Sequence, residues 1–176
     1  MKLKSDLFLL IVLIAAIAVY FSQTQIATQK QFAEQAFFCP EDNCAQQLIE
    51  KINASNKSIH AAVYSFTSKE IADAMIEAKK RGVEVKIVTD FVQAAGQYSK
   101  DELLKQNGIE VKIKKIDSGS MHDKFIVIDD TLAATGSFNY TENADERNDE
   151  NLVFLVNPET VAAFEAEFQE IWQSAG

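Results

Sequence analysis

Between positions 122 and 150 the chain gathers a histidine, a lysine, a serine, an asparagine and several carboxylates around two short apolar runs. His122 and Lys124 lie two apart, so on an extended strand they point to the same side. A neutral imidazole there can attack phosphorus, and an ammonium beside it can hold phosphoryl oxygens. Ser137 and Asn139, within Gly136-Ser137-Phe138-Asn139, add neutral hydrogen-bond donors. Glu150, if the fold returns it, is the residue type that orients a ring by accepting from its second nitrogen. Plainer readings exist. Asn139 can shape the turn after Ser137, Asp129 can fix the Asp129-Asp130-Thr131 turn, and Glu150 can be a solvated edge charge near Glu146 and Asp149.

A metal centre is the natural rival. Lys124 argues against it, because a cation beside the ligand set repels another cation. Asp123, Asp129 and Asp130 form no His-carboxylate ligand pattern with His122. The expected chemistry uses no metal and no cofactor.

These residues need a scaffold. Ser58 to Phe66 is apolar on both faces, as a central strand should be. Ser68 caps a helix to Arg81, with Ile71, Ala74, Met75 and Ala78 at helical spacing and Gly82 ending it. Val83 to Thr89 and Ile109 to Ile116 alternate as strands, separated by a looser helix around Lys100 to Gln106. Lys124 to Ile128 and Thr131 to Thr135 read as strands joined at Asp129-Asp130, and Asn151 to Val156 as another. Asn157-Pro158 starts a final helix with Val161, Phe164, Phe168 and Ile171 or Trp172 as its core stripe. Earlier in the chain, Phe37-Phe38 begins a short strand, and Asp42 or Asn43 can cap a helix to about Asn53. The order predicts a single α/β domain with a mixed, largely parallel sheet flanked by helices.

The 176 residues suffice for one domain and a short leader. Lys2 and Lys4 precede an apolar run from Leu7 to Phe21. That run fits a signal-peptide core with Ala16-Ile17-Ala18 as a cleavage pattern, or an uncleaved inner-membrane anchor with its lysines inside. Both fates export the domain to the periplasm. Residues 22–36 read as a Gln-rich spacer, which leaves 37–176 as the catalytic domain. In an oxidising compartment Cys39 and Cys44 are close enough in sequence to form a small disulfide loop, and two packed thiols are the bland alternative. The net charge of -9 excludes polyanion binding by bulk charge, so nucleic-acid contact must be local. Lys112, Lys114 and Lys115 are either that local patch or a solvated strand face.

His122, Lys124 and Asp129, as H-x-K-x4-D, followed by Gly136-Ser137-x-Asn139 and Glu150, resemble the phospholipase D superfamily. The resemblance extends from about Phe37 to Trp172 and includes Val63-Tyr64-Ser65-Phe66-Thr67. It is to the small, single-motif bacterial endonucleases and their mitochondrial relative. It implies a metal-free phosphodiesterase working through a covalent phosphohistidine. His122 would be nucleophile or acid, Lys124 and Asn139 would bind phosphate, Ser137 and Glu150 would orient the histidines, and Asp129 would be mainly structural.

That mechanism needs two histidines, and the chain has only His60 and His122. His60 is followed by Ala62 and Thr67 at the motif's offsets and sits in an apolar strand, so it is expected to be structural. The second histidine must then come from another copy, which predicts a homodimer around one shared site. The expected function is an exported endonuclease on DNA or RNA. A phospholipase D acting on membrane lipid is the alternative, and a non-catalytic phosphodiester-binding module the second alternative.

Overall fold

Strand β2 (Ser58–Val63) is buried along its whole length, because its side chains are apolar on both faces. It pairs in parallel with β3 (Glu84–Asp90), which pairs in parallel with β4 (Glu110–Lys114). On its other side β2 pairs antiparallel with β5 (Lys124–Ile128). From there β6 (Leu132–Gly136), β7 (Glu150–Leu155) and β1 (Gln35–Cys39) continue antiparallel. The computed structural model describes residues 11–20 and 34–176. Its sheet has seven strands in the order β1-β7-β6-β5-β2-β3-β4.

The mixed sheet agrees with the sequence, but the expected parallel majority does not. Only the two pairings on the β3–β4 side are parallel. After β4 no long helix lies between successive strands, so β5, β6 and β7 follow one another antiparallel.

Helices α1 (Cys44–Ala54) and α2 (Lys69–Lys80) cover one face of the sheet, and α6 (Pro158–Ser174) covers the other. The strands alternate accordingly. Ile59, Ala61, Val63, Ile126 and Ile128 face the first layer, and Ala62, Phe125 and Val127 face the second. Ser68 caps α2 through the Ile71 N–H, and Asn157 caps α6 through Glu159 and Thr160, as the sequence predicts. The α1 start differs. Neither Asp42 nor Asn43 caps it by side chain. Asp42 accepts from the Phe38 N–H, and the Ala45 N–H is met by Asp145, one hundred residues away in sequence. That carboxylate belongs to α5 (Glu142–Glu146), one of two short helices the sequence periodicity misses, with α3 (Phe91–Ala94) the other. The looser helix is α4 (Asp101–Gln106).

The chain divides into two units, residues 1–33 and 34–176. Residues 11–20 are helical, and among the described residues no helix is long and apolar enough to cross a membrane. The rest of the expected leader, and the spacer up to residue 33, lie outside the described residues. The spacer's end is corrected, since Gln35 and Ala36 already pair with Phe154 and Val153 in the sheet. Cys39 and Cys44 form the disulfide, linking the end of β1 to the first residue of α1.

Asp129 and Asp130 both take left-handed φ values, 55° and 57°, and the Thr131 N–H closes on the Ile128 carbonyl. This is a primed turn matched to the twist of the β5–β6 hairpin. The Asp129 carboxylate also accepts from the N–H groups of Asn56, Lys57 and Ser58 at 2.7–3.2 Å. It therefore ties the hairpin to the entry of β2. Asp129→Ala should cost about 2 kcal/mol, the usual scale for bonds to a charged acceptor. Thermal melting should show the loss, while kcat of the folded fraction should be unchanged.

Candidate active site

Five strands end at one edge of the sheet. β2 stops at Val63, β3 at Asp90 and β6 at Gly136, while β5 starts at Lys124 and β7 at Glu150. The register makes this one place: Val63 is opposite both Thr89 and Lys124, and Gly136 is opposite Leu152. The hydrogen-bonding sense reverses at β2, and such a reversal, beyond the carboxyl ends of parallel strands, is where α/β sheets open a crevice.

His122 stands at this edge, exposed to solvent. Lys124 Nζ lies 3.1 Å from His122 Nδ1 and donates to the His122 carbonyl at 2.7 Å. The Tyr64 ring packs on the imidazole, with centroids 4.4 Å apart, and Lys124 Nζ lies 5.0 Å above the same ring. An ammonium only donates, so its contact with Nδ1 leaves that nitrogen unprotonated and places the hydrogen on Nε2. This is the neutral Nε2–H tautomer, whose Nε2 has no free lone pair for attack. A nucleophilic Nε2 needs a protonated Nδ1 facing an acceptor.

Ser137 and Asn139 follow β6. The Ser137 hydroxyl accepts from the Asn151 N–H at 3.1 Å, and the Ser137 N–H donates to Asn151 Oδ1 at 3.3 Å. Within this chain Ser137 thus engages Asn151 rather than His122. The close approach depends on Gly136, at φ 150°, where a Cβ would overlap the Asn151 carbonyl. Asn139 Oδ1 is buried with no hydrogen-bond partner, and the residue lines an open groove of about 900 Å³ with Ser65, Thr67, Tyr98 and Lys100. Such an acceptor is costly unless a donor arrives. Glu150 accepts from Asn148 Nδ2 at 3.0 Å and lies near enough to Lys124 to favour its charge. No hydrogen bond joins Glu150 to His122.

Asp129 is not in this group. It lies beyond the far end of β5, five residues from Lys124, which is roughly 16 Å along a strand. Its bonds to the Asn56, Lys57 and Ser58 N–H groups fit the mainly structural part that the resemblance implies for it. His60 is likewise remote from the edge and 6% exposed. Its Nδ1 lies 2.8 Å from Glu165, its Nε2 lies 3.1 Å from Glu84, and its ring stacks on Phe168. Lys112 and Lys114 are tied to the chain's own C-terminal helix. They donate to the carbonyls of Trp172, Ala175 and Ser174 at the end of α6, and Lys115 sits over Phe91. Tyr64, Asp90, Gln93 and Asn151 are the site residues the motif reading passes over. Asp90 and Asn151 were detectable as polar residues at the ends of apolar strands. Among the described residues, no group of three or more His, Cys, Asp or Glu could hold a metal ion.

A family model described as a cardiolipin synthase, PLD-like domain matches residues 48–172. A phospholipase D of Rickettsia bellii is 35% identical over 72% of this chain and 63% of its own length. A mitochondrial cardiolipin hydrolase of Chlamydomonas reinhardtii is 32% identical over 72% of this chain and 56% of its own. The chain thus spans less than two thirds of these relatives' lengths. Among solved structures, Nuc, a phospholipase D family member from Salmonella typhimurium, superposes with a TM-score of 0.77 at 33% identity, covering 82% of this chain and 96% of that one. NucT from Helicobacter pylori gives 0.76 at 28% identity, covering 81% and 97%.

Partial burial holds the Lys124 ammonium below its ordinary 10.5, while Asp123 and Glu150 pull it back up. If the charged form binds phosphate, kcat/KM should fall on an alkaline limb below 10.5. Glu150→Gln removes a stabilising charge and should move that limb to lower pH. Lys124→Arg should move it up and out of range while weakening turnover. Profiles with bis(p-nitrophenyl) phosphate check both shifts, and a limb indifferent to both changes would assign it elsewhere.

Proposed function

This chain belongs to the phospholipase D superfamily, and on that footing we propose that it is a metal-independent phosphodiesterase, an exported endonuclease that cleaves DNA or RNA as a homodimer. One observation carries the reading. His122 is exposed beside Lys124, while the chain's other histidine is sealed between two carboxylates and a phenylalanine ring. A two-histidine phosphoryl transfer at this edge therefore requires a second His122 from a second copy.

In the proposed reaction, His122 of one copy attacks phosphorus through Nε2 and displaces the leaving oxygen, which takes a proton from His122 of the other copy. The second imidazole then removes a proton from water, whose oxygen attacks the phosphohistidine and restores the first ring. Lys124 and the Asn139 amide hold the non-bridging oxygens. The proton donor in this step is the imidazolium, which becomes neutral as the leaving oxygen takes its proton. Glu150 is the carboxylate assigned to Nδ1–H in the nucleophile, and Ser137 supports the same orientation through Asn151. Asn139's unpartnered oxygen fits a site completed from outside the chain. The N-terminal Lys2, Lys4 and apolar run support export to the periplasm, by signal peptide or anchor.

A second reading is a phospholipase D acting on membrane lipid. It is favoured by the exposed Phe91 and Val92 near Tyr64 and by the names of the curated relatives.

The test is the full-length protein with single-stranded DNA, plasmid DNA and phosphatidylcholine, each with excess EDTA, beside His122→Ala. The expected result is EDTA-resistant DNA cleavage that the variant lacks, with an acid-labile phosphoryl label on the wild-type chain. Choline release without DNA cleavage selects the lipid reading. Loss of activity to EDTA refutes the metal-free mechanism. Sedimentation should show a dimer, and a fully active monomer would refute the shared site.

A further inference from the structure

We propose that Asp90 is a positioning residue for His122, setting both the backbone before the imidazole and the ring packed against it. The inference rests on the reading of His122 as the reacting group and adds the element that aims it.

Asp90 ends β3 and is 2% exposed. A buried carboxylate is costly unless its oxygens are fully engaged. Both are. Oδ2 accepts from the Met121 N–H at 3.2 Å. Oδ1 accepts from the N–H groups of Val92 and Gln93, at 2.9 and 3.2 Å, and so starts α3. Met121 is itself buried and immediately precedes His122, so one oxygen fixes the chain at the entry to the reacting residue. The other oxygen fixes α3, from which Gln93 Nε2 donates to the Tyr64 hydroxyl at 3.0 Å. Tyr64 then packs on the imidazole and donates its own N–H to the Asp123 carbonyl at 2.8 Å.

His122 is therefore held on three sides. Its predecessor is tied to Asp90, its successor to Tyr64, and its ring face to a phenol that α3 aims. Both arms of the clamp converge on one carboxylate. No other polar side chain of this region does the same. Asp101 is equally buried, but it accepts from Thr89 Oγ1 at 2.7 Å and leaves Oδ1 unpartnered, with no link to residues 121–124.

Asparagine at position 90 offers one acceptor where the carboxylate offers two, and its amide opposes the remaining N–H groups. One arm must fail. Misaiming a reacting group lowers turnover more than binding, because the near-attack geometry is lost while phosphate contacts remain. The experiment uses the full-length protein and bis(p-nitrophenyl) phosphate, which reports on phosphodiester chemistry without a polymer groove. Asp90→Asn should lower kcat by roughly 10- to 100-fold with KM within about 2-fold. Gln93→Leu, a half-buried change that cuts only the Tyr64 arm, should lower kcat by about 3- to 10-fold. Asp101→Asn, in α4 against Thr89 of β3, should shift the melting temperature but keep kcat within about 2-fold, since it touches neither arm.

If Asp90→Asn does not fold, Gln93→Leu decides. A folded Asp90→Asn with unchanged kcat overturns the proposal, as does a loss no larger than that of Asp101→Asn, or an unaffected Gln93→Leu. Activity surviving in His122→Ala would instead refute the reading of His122, a result separable from either.

Discussion

Everything at the candidate site follows from the two pairings of β2. Parallel hydrogen bonding to β3 puts the carboxyl ends of both strands at one edge. Antiparallel bonding to β5 brings an amino end to that same edge. A motif read from the start of β5 therefore meets Tyr64 and Asp90, which leave the ends of the neighbouring strands. Had β5 run the other way, Lys124 would sit at the edge that Asp129 now occupies. The apolar sequence of β2 enforces the arrangement, since a strand buried on both faces accepts no edge position.

The polar groups at this edge are connected unevenly, and the unevenness is informative. Asp90 and Ser137 have partners on every side that the fold supplies. Gly136 exists to let Asn151 come close enough for that. Asn139 Oδ1, by contrast, is buried without a partner, and His122 is exposed to solvent. Evolved interiors rarely leave a buried acceptor unmet. A buried acceptor left open among supports that are paired is organised for a ligand.

Periodicity and capping made most strands and the long helices legible. Ser68 and Asn157 cap as their sequence positions suggest, and Val161, Phe168 and Ile171 form the buried stripe of α6. Local spacing likewise put His122 and Lys124 side by side. What it could not reach was long-range. Strand order decided the share of antiparallel pairing. The cap of α1 came from Asp145, not from its own flank. Asp129 looked like a member of the motif by spacing, yet strand length alone carries it to the opposite edge. Lys112 and Lys114 looked like a solvated or anion-binding face, but the end of α6 folds back over them.

The disulfide sits at a telling rung of the sheet. In the β1–β7 ladder Cys39 lies directly across from Glu150. Strand register is ordinarily specified by alternation alone, and a slip of one residue would turn a side chain to the opposite face. Here a covalent tie from Cys39 to the first residue of α1 pins the end of an edge strand. The crosslink thus acts as an index mark, locking the phase of the strand that delivers Glu150 to one rim of the sheet.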